Sequence, residues 1–170
     1  MTLKFGILTV SDRSSAGERE DLSGPALVRA VDEAGWEVIQ SALVPDDFQE
    51  IGDILTTWAD SGSCSVILTT GGTGFSPRDI TPEATLAVIE RQAPGLAEAM
   101  RSGSLEITPH AMLSRAVAGI RGRTLIINLP GSPKGALENF RLVAPVLVHA
   151  VQLLDNDQEA EKGHYPGRSI

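Results

Sequence analysis

The sequence predicts a single α/β domain built on a parallel sheet with helices on both faces. Three observations carry that prediction. Over residues 3–69, strand-like and helical segments alternate three times with short connections, the pattern of successive βα units. Two of the strand candidates are too apolar to leave either face in water, as expected of strands covered on both sides. The 170 residues, 42% of them hydrophobic, suit one domain with enough apolar material to line both faces of a sheet.

The elements follow in order. Residues 3–10 read as a buried strand, and Ser23, Gly24 and Pro25 open a helix, because proline is tolerated at the first helical position. Leu27, Val31 and Ala34 keep helical spacing, Gly35 supplies a stop, and residues 36–44 are extended enough for a second strand. Asp46 or Asp47 can cap the next helix, whose Ile51, Ile54, Leu55 and Trp58 share one face before Gly62 ends it. A third strand occupies residues 65–69.

Thr81-Pro82 opens a helix running through Leu86 and Ile89, with Thr81 as its cap, and a short helix over residues 95–101 follows Pro94. Residues 116–120 and 124–128 flank Arg121-Gly122-Arg123 and predict a hairpin or two adjacent extended segments. Ser132-Pro133 starts the last helix, where Leu137, Phe140, Ala144, Leu147, Val151 and Leu154 repeat at helical spacing around an expected kink or break at Pro145. The domain thus spans residues 1–154. From residue 155 to 170 the apolar pattern stops, and a flexible tail is expected.

Composition narrows the function classes. A formal net charge of -8 argues against nonspecific binding to a nucleic-acid backbone, while leaving room for a small phosphorylated ligand in a locally positive pocket. One cysteine, Cys64, cannot form an intrachain disulfide, and no Cys/His cluster has zinc spacing, which fits a reducing, cytoplasmic setting. No secretory leader is expected, and no run approaches the roughly 20 apolar residues of a membrane span. His110, His149 and His164 are scattered and lack partners at ligand spacing.

The chemistry concentrates in loops that follow strands. In Thr70-Gly71-Gly72-Thr73-Gly74 the glycines let the backbone adopt positive φ and bring N–H donors against a phosphate; a side chain at Gly72 would stand where that phosphate lies. A tight turn needing glycine for geometry alone is the plain alternative. Close behind come Arg78, Asp79 and a helix start, placing a cation, a carboxylate and free N–H groups in one segment. The spacing is neither that of a P-loop nor of the dinucleotide fingerprint, so kinase and dehydrogenase readings lose support.

Asp46, at the end of the second strand, can put a carboxylate on the same rim as Asp79; the plain alternative is that Asp46 or Asp47 serves only as a cap. Two carboxylates facing a triphosphate repel it unless Mg²⁺ lies between them, so the pair predicts a metal-bridged nucleotide. Ser11-Asp12-Arg13 and Asn128-Leu129-Pro130-Gly131-Ser132-Pro133 are two further loops that can join the site.

These residues resemble the molybdopterin adenylyltransferases, the group that includes the bacterial MogA and MoaB proteins. The likeness spans residues 5–154. It is carried by Thr9-Val10-Ser11-Asp12-Arg13, Glu20-Asp21-Leu22-Ser23-Gly24-Pro25, Val44-Pro45-Asp46-Asp47, Thr69 to Gly74 with Arg78-Asp79-Ile80-Thr81-Pro82-Glu83-Ala84-Thr85, Leu113-Ser114-Arg115, and Asn128 to Lys134. The resemblance implies a three-layer α/β/α fold with a mostly parallel sheet, assembled as a homotrimer, that takes Mg²⁺, ATP and molybdopterin and releases adenylyl-molybdopterin and pyrophosphate. It implies that Asp46 and Asp79 are the catalytic, Mg²⁺-holding carboxylates. Gly71, Gly72, Thr73, Gly74, Arg78, Gly131, Ser132 and Pro133 would hold nucleotide or pterin, with Ser11 and Asp12 lining the same pocket. A metal-insertion protein is an implied partner. A noncatalytic pterin-binding or scaffold member of the same fold is the alternative.

Overall fold

The structure, a computed structural model, describes residues 1–156; the remainder of the expected tail lies outside the described residues. Six strands form one sheet: β1 (Lys4–Val10), β2 (Glu37–Val44), β3 (Val66–Thr70), β4 (Arg91–Gln92), β5 (Ala118–Arg121) and β6 (Thr124–Leu129), in the order β2-β1-β3-β6-β5-β4. The first four in that order run parallel, and β5 and β4 are antiparallel additions. Chain order and burial agree. Every residue of β3 and β6 is buried, as is β1 after Lys4, whereas the edge strand β2 is mostly open.

The helices are α1 (Asp12–Ser15), α2 (Ser23–Glu33), α3 (Phe48–Asp60), α4 (Thr81–Val88), α5 (Pro94–Leu105) and α6 (Pro133–Leu154), with a 3₁₀ turn at Pro109–Leu113. The two-residue period of the strands sorts their side chains between two cores. Phe5, Ile7, Val66, Leu68, Leu125 and Ile127 point toward Leu27 and Val31 of α2, Met100 of α5 and Phe140 and Leu147 of α6. Leu8, Val10, Ile67 and Ile126 point toward Ile51, Leu55 and Trp58 of α3 and Ala84 and Val88 of α4. The result is three layers, helix on sheet on helix. Phe5 anchors the first core, stacked on Trp36 at 5.4 Å between ring centroids and edge-on to Phe140 at 6.3 Å.

Four local expectations change. Helix α4 stops at Val88, because Ile89 turns extended and leads into β4, whose backbone pairs with β5. Helix α5 is longer than residues 95–101: Pro94 sits in its first turn and the helix continues through Gly103, where a side chain would run into Leu142 of α6. Helix α6 runs unbroken past Pro145, which faces solvent while Phe140 and Val143 before it and Leu147 and Val151 after it are buried. That burial on both sides outweighs the lost backbone bond of about 3 kcal/mol. Although α6 has 22 residues and is apolar enough to cross a bilayer by length and composition, here it packs its buried stripe on the sheet. Finally, Thr81 is the first residue of α4 and does not cap it.

One buried amide ties the site end of the sheet together. Asn128, fully buried in β6, donates to the Thr69 hydroxyl at 3.0 Å and the Thr85 hydroxyl at 2.9 Å, and accepts from the Val117 N–H at 3.2 Å. It links β3, α4 and the approach to β5 through one side chain. Asn128→Ala strands that N–H and both hydroxyls without a partner in the core. The expected cost is about 1–3 kcal/mol, read as a lower urea midpoint with an unchanged slope.

Candidate active site

Because β1, β2, β3 and β6 are parallel neighbours, the loops at their carboxyl ends share one rim, where open α/β sheets hold ligands. A cavity of about 720 Å³ opens there. Ser11 and Asp12 reach it from β1, Asp46 from β2, Gly71, Gly72, Arg78 and Asp79 from β3, and Gly131, Ser132 and Pro133 from β6. Thr73 and Gly74 are placed differently. They line a second cavity of about 310 Å³ with Arg101, Asn139 and others. Ser132 borders both.

The loop after β3 is held where no side chain would fit. Gly71 and Gly72 have φ of 105° and 63°, a region that strongly favours glycine. A Cβ on Gly71 would strike the Val10 carbonyl, and one on Gly131 would come within 3.1 Å of the Gly71 Cα. Thr81 donates from its hydroxyl to the Gly71 carbonyl at 2.9 Å and from its N–H to the Gly72 carbonyl at 3.1 Å, so it braces the loop instead of capping a helix. Thr70 donates to the Pro130 carbonyl at 2.7 Å and Ser23 to the Gly131 carbonyl at 2.7 Å, lacing the β6 loop to β3 and α2. A side chain at Gly72 would project toward Asp46 Oδ1, within 2.8 Å, and against Thr81, not into open phosphate space.

Asp46 and Asp47 divide the two roles open to them. Asp47 caps α3, accepting from the Glu50 N–H at 2.9 Å, and Asp46 is left to the cavity. Asp12 and Asp46 then clasp each other's backbone: the Asp12 N–H donates to Asp46 Oδ2 and the Asp46 N–H to Asp12 Oδ1, both at 2.9 Å. Arg78 closes the group with a two-pronged pair to Asp12, at 2.8 and 3.0 Å, and donates to the Asp46 carbonyl at 3.0 Å. Asp79 accepts from the Ser76 N–H at 3.0 Å, within its own turn.

The charges are uneven. The hydrogen bond from Arg78 holds the Asp12 carboxyl below the usual aspartate range. Burial pushes the Asp46 carboxyl up, with the Asp12 and Asp79 charges adding to the rise, while the Asp12 N–H and Arg78 oppose it. Five carboxylates, Asp12, Glu20, Asp21, Asp46 and Asp79, line the cavity against three guanidiniums, Arg13, Arg19 and Arg78, which leaves surplus negative charge at the place where phosphates would sit. Among the described residues no group of three or more His, Cys, Asp or Glu side chains is set to hold a metal alone. Two hard oxygen donors at a phosphate cradle instead match the way Mg²⁺ is held, by one or two carboxylates together with the phosphates of its substrate.

The cavity also includes Thr9, Arg19, Asp21 and Ser23, and Arg19 donates to the Ser11 hydroxyl at 3.4 Å. Sequence reasoning gave these residues no role of their own. The signals were two motifs, Thr9 to Arg13 for Thr9 and Glu20 to Pro25 for Asp21 and Ser23; Asp21 accepts from the Gly24 N–H at 3.0 Å and turns the chain into α2.

The sequence profile of the family described as "Probable molybdopterin binding domain" matches residues 6–149. The chain is 43% identical over 155 residues to the molybdopterin adenylyltransferase of Helicobacter pylori strain J99, covering 90% of this chain and 88% of that one. It is 44% identical over 161 residues to gephyrin of Dictyostelium discoideum, where the match covers 89% of this chain but only 22% of the longer protein. The crystal structure of the molybdopterin biosynthesis enzyme MoaB from Thermus thermophilus superposes with a TM-score of 0.86 at 51% identity, over 92% of this chain and 98% of that chain. With its fold, its loops and nearly its whole length matched, the chain belongs to this molybdopterin-binding family, in which molybdopterin adenylyltransferases stand among its relatives.

Proposed function

We propose that the chain transfers the adenylyl group of ATP to molybdopterin, giving adenylyl-molybdopterin and pyrophosphate. The observation that carries this reading is the meeting of Gly72, Asp46 and Asp79 at one cavity, since it puts a glycine turn beside two hard oxygen donors at the carboxyl rim of the sheet. The relatives named molybdopterin adenylyltransferase support the choice of substrates. In the reaction, an oxygen of the terminal phosphate of molybdopterin bonds to the α-phosphorus of ATP as the bond from that phosphorus to the β-bridging oxygen breaks. Pyrophosphate carries away the electron pair.

The protein's part is to bind and orient. The N–H groups of Gly72 and Gly131 would donate to phosphate oxygens, and Arg78 offers a cation at the mouth. Asp46 and Asp79 would hold Mg²⁺, which when bound supplies positive charge against the triphosphate. We further infer a homotrimer, supported by exposed Leu105, Ile107, Met112, Leu113, Leu142 and Val146 around α5 and α6. A cytoplasmic setting and delivery of the product to a metal-insertion protein complete the reading.

Incubation of purified protein with molybdopterin, ATP and Mg²⁺ tests it directly, by mass spectrometry of the pterin and release of pyrophosphate. Bound pterin without product would favour a binding module over an enzyme. Asp79→Asn is expected to keep the fold and lower turnover on the order of 100-fold, as does loss of one electrostatic stabiliser elsewhere. Wild-type turnover in the folded variant removes Asp79 from the mechanism. Gly72→Val forces a branched residue into a left-handed conformation, at a strain of about 1–3 kcal/mol in the fold, and displaces Asp46; with that carboxylate moved, ATP affinity by calorimetry is expected to fall on the order of tenfold. Unchanged affinity would refute the placement of the nucleotide.

The pH profile follows from the charges. Asp46 must ionise to hold a cation, and its carboxyl is raised above the ordinary 3.8, so activity falls with acid at a higher pH than a free aspartate would give. Arg78→Gln removes a charge that favours ionised Asp46 and the partner of Asp12. The acidic limb of kcat/KM should then move to higher pH. A limb that stays or moves lower contradicts the assignment.

A further inference from the structure

Leu113-Ser114-Arg115 belongs to the family resemblance, yet Arg115 does not line the 720 Å³ cavity and the reaction described above gives it no task. Its contacts are unusual. The Arg115 Nε donates to the Gly74 carbonyl at 2.7 Å, one terminal nitrogen donates to the Asp79 carbonyl at 2.9 Å, and the other pairs with Glu83 on α4. Its own backbone N–H donates to the Thr73 carbonyl at 2.8 Å. One residue, arriving from outside the loop, thus grips residues 73, 74, 79 and 83 at once.

The stretch between those grips is otherwise thinly held. Phe75, Ser76, Pro77 and Arg78 are all exposed, Phe75 to 67%. Within it, the Asp79 N–H donates to the Ser76 carbonyl at 2.9 Å, the Ser76 N–H to the Asp79 carboxylate at 3.0 Å, and the Arg78 N–H to the Ser76 hydroxyl at 3.4 Å. Arg78 supplies the outward tethers: its pair with Asp12, which is largely open to water and so weak, and its bond to the Asp46 carbonyl at 3.0 Å. Glu83 also depends on the arginine: its second carboxylate oxygen is buried and has no partner among the described residues.

We propose that Arg115 is a positioning residue that sets the Asp79 carboxylate against the cavity by clamping both ends of the 74–79 segment. The proposal rests on the role given to Asp79 above. The planar guanidinium suits the task because its donors diverge in fixed directions and serve three acceptors together. An ammonium carries equal charge but reaches as a single point on a flexible stem. Mispositioning of a reacting group by about 1 Å can cost on the order of 100-fold in rate while leaving binding surfaces in place.

The test uses the full chain carrying Arg115→Lys, with adenylylation kinetics and hydrogen-exchange mass spectrometry side by side. The expected result is a kcat lower by roughly 10- to 100-fold, a KM for ATP within about twofold of wild type, and faster exchange confined to residues 73–80. Wild-type exchange in that segment, wild-type kcat, or exchange accelerated evenly across sheet and helices overturns the proposal. The last outcome marks an ordinary structural role. If Arg115→Lys fails to fold, Glu83→Gln releases only the α4 end of the clamp and should give a smaller kcat loss with faster exchange near residues 79–83; wild-type kcat there also overturns it. Wild-type turnover by Asp79→Asn would instead sink the role of Asp79, while the exchange measurement still reports whether Arg115 holds the segment.

Discussion

The approach of Gly71 to the Val10 carbonyl on one side and to Gly131 on the other is the contact on which the rest of the site depends. It joins the ends of three parallel neighbours, β1, β3 and β6, at separations that any side chain would prop open. Because those ends are drawn together, Asp46 can lean on Gly72 and Thr81 can hold both glycine carbonyls from below. The apolar strands bring the loops to a common rim, and the missing Cβ atoms set how tightly that rim closes.

Closure creates an electrostatic problem that the chain solves only in part. Asp12 is neutralised by Arg78, and the reciprocal N–H bonds between Asp12 and Asp46 hold two like charges side by side. Asp46 keeps a raised affinity for protons because burial strips away its water and, among the described residues, no opposite charge touches its carboxylate directly. A group left in that condition is poised to exchange its proton for a cation. The proposed metal-assisted chemistry asks for that property, and the fold supplies it by burying Asp46 beside Asp12 and Asp79 in one cavity.

Much of this was legible in the sequence, for physical reasons that differ by region. Strands buried on both faces show as unbroken apolar runs, so β1 and β3 and the helices between them could be placed by pattern, and the short Gly122 turn marked the β5–β6 hairpin. Strand β4 was not legible, because its two exposed residues join the sheet through backbone pairing that composition does not encode. Pro145 misled for the opposite reason: local propensity warned of a break that buried neighbours on either side overrode. At the site, the glycines and carboxylates were visible, but which of Asp46 and Asp47 caps α3 was not, and Thr81 looked like a cap while serving the loop. Thr73 and Gly74 were grouped with their neighbours by adjacency, yet the chain turns them toward the other cavity. Side-chain direction within a loop is a tertiary property, and spacing along the chain says little about it.

The division of labour between Asp46 and Asp47 leaves the junction between β2 and α3 no slack. One residue satisfies a helix's unpaired N–H group, and its immediate neighbour faces the ligand, so both duties are fixed by the same few backbone angles. Lengthening or shortening this corner by a single residue would trade the two aspartates' jobs, because only three residues lie between β2 and α3 and two of them are these aspartates. Any redesign of substrate preference on this scaffold therefore has freedom in the walls of the cavity and almost none at the corner where β2 becomes α3.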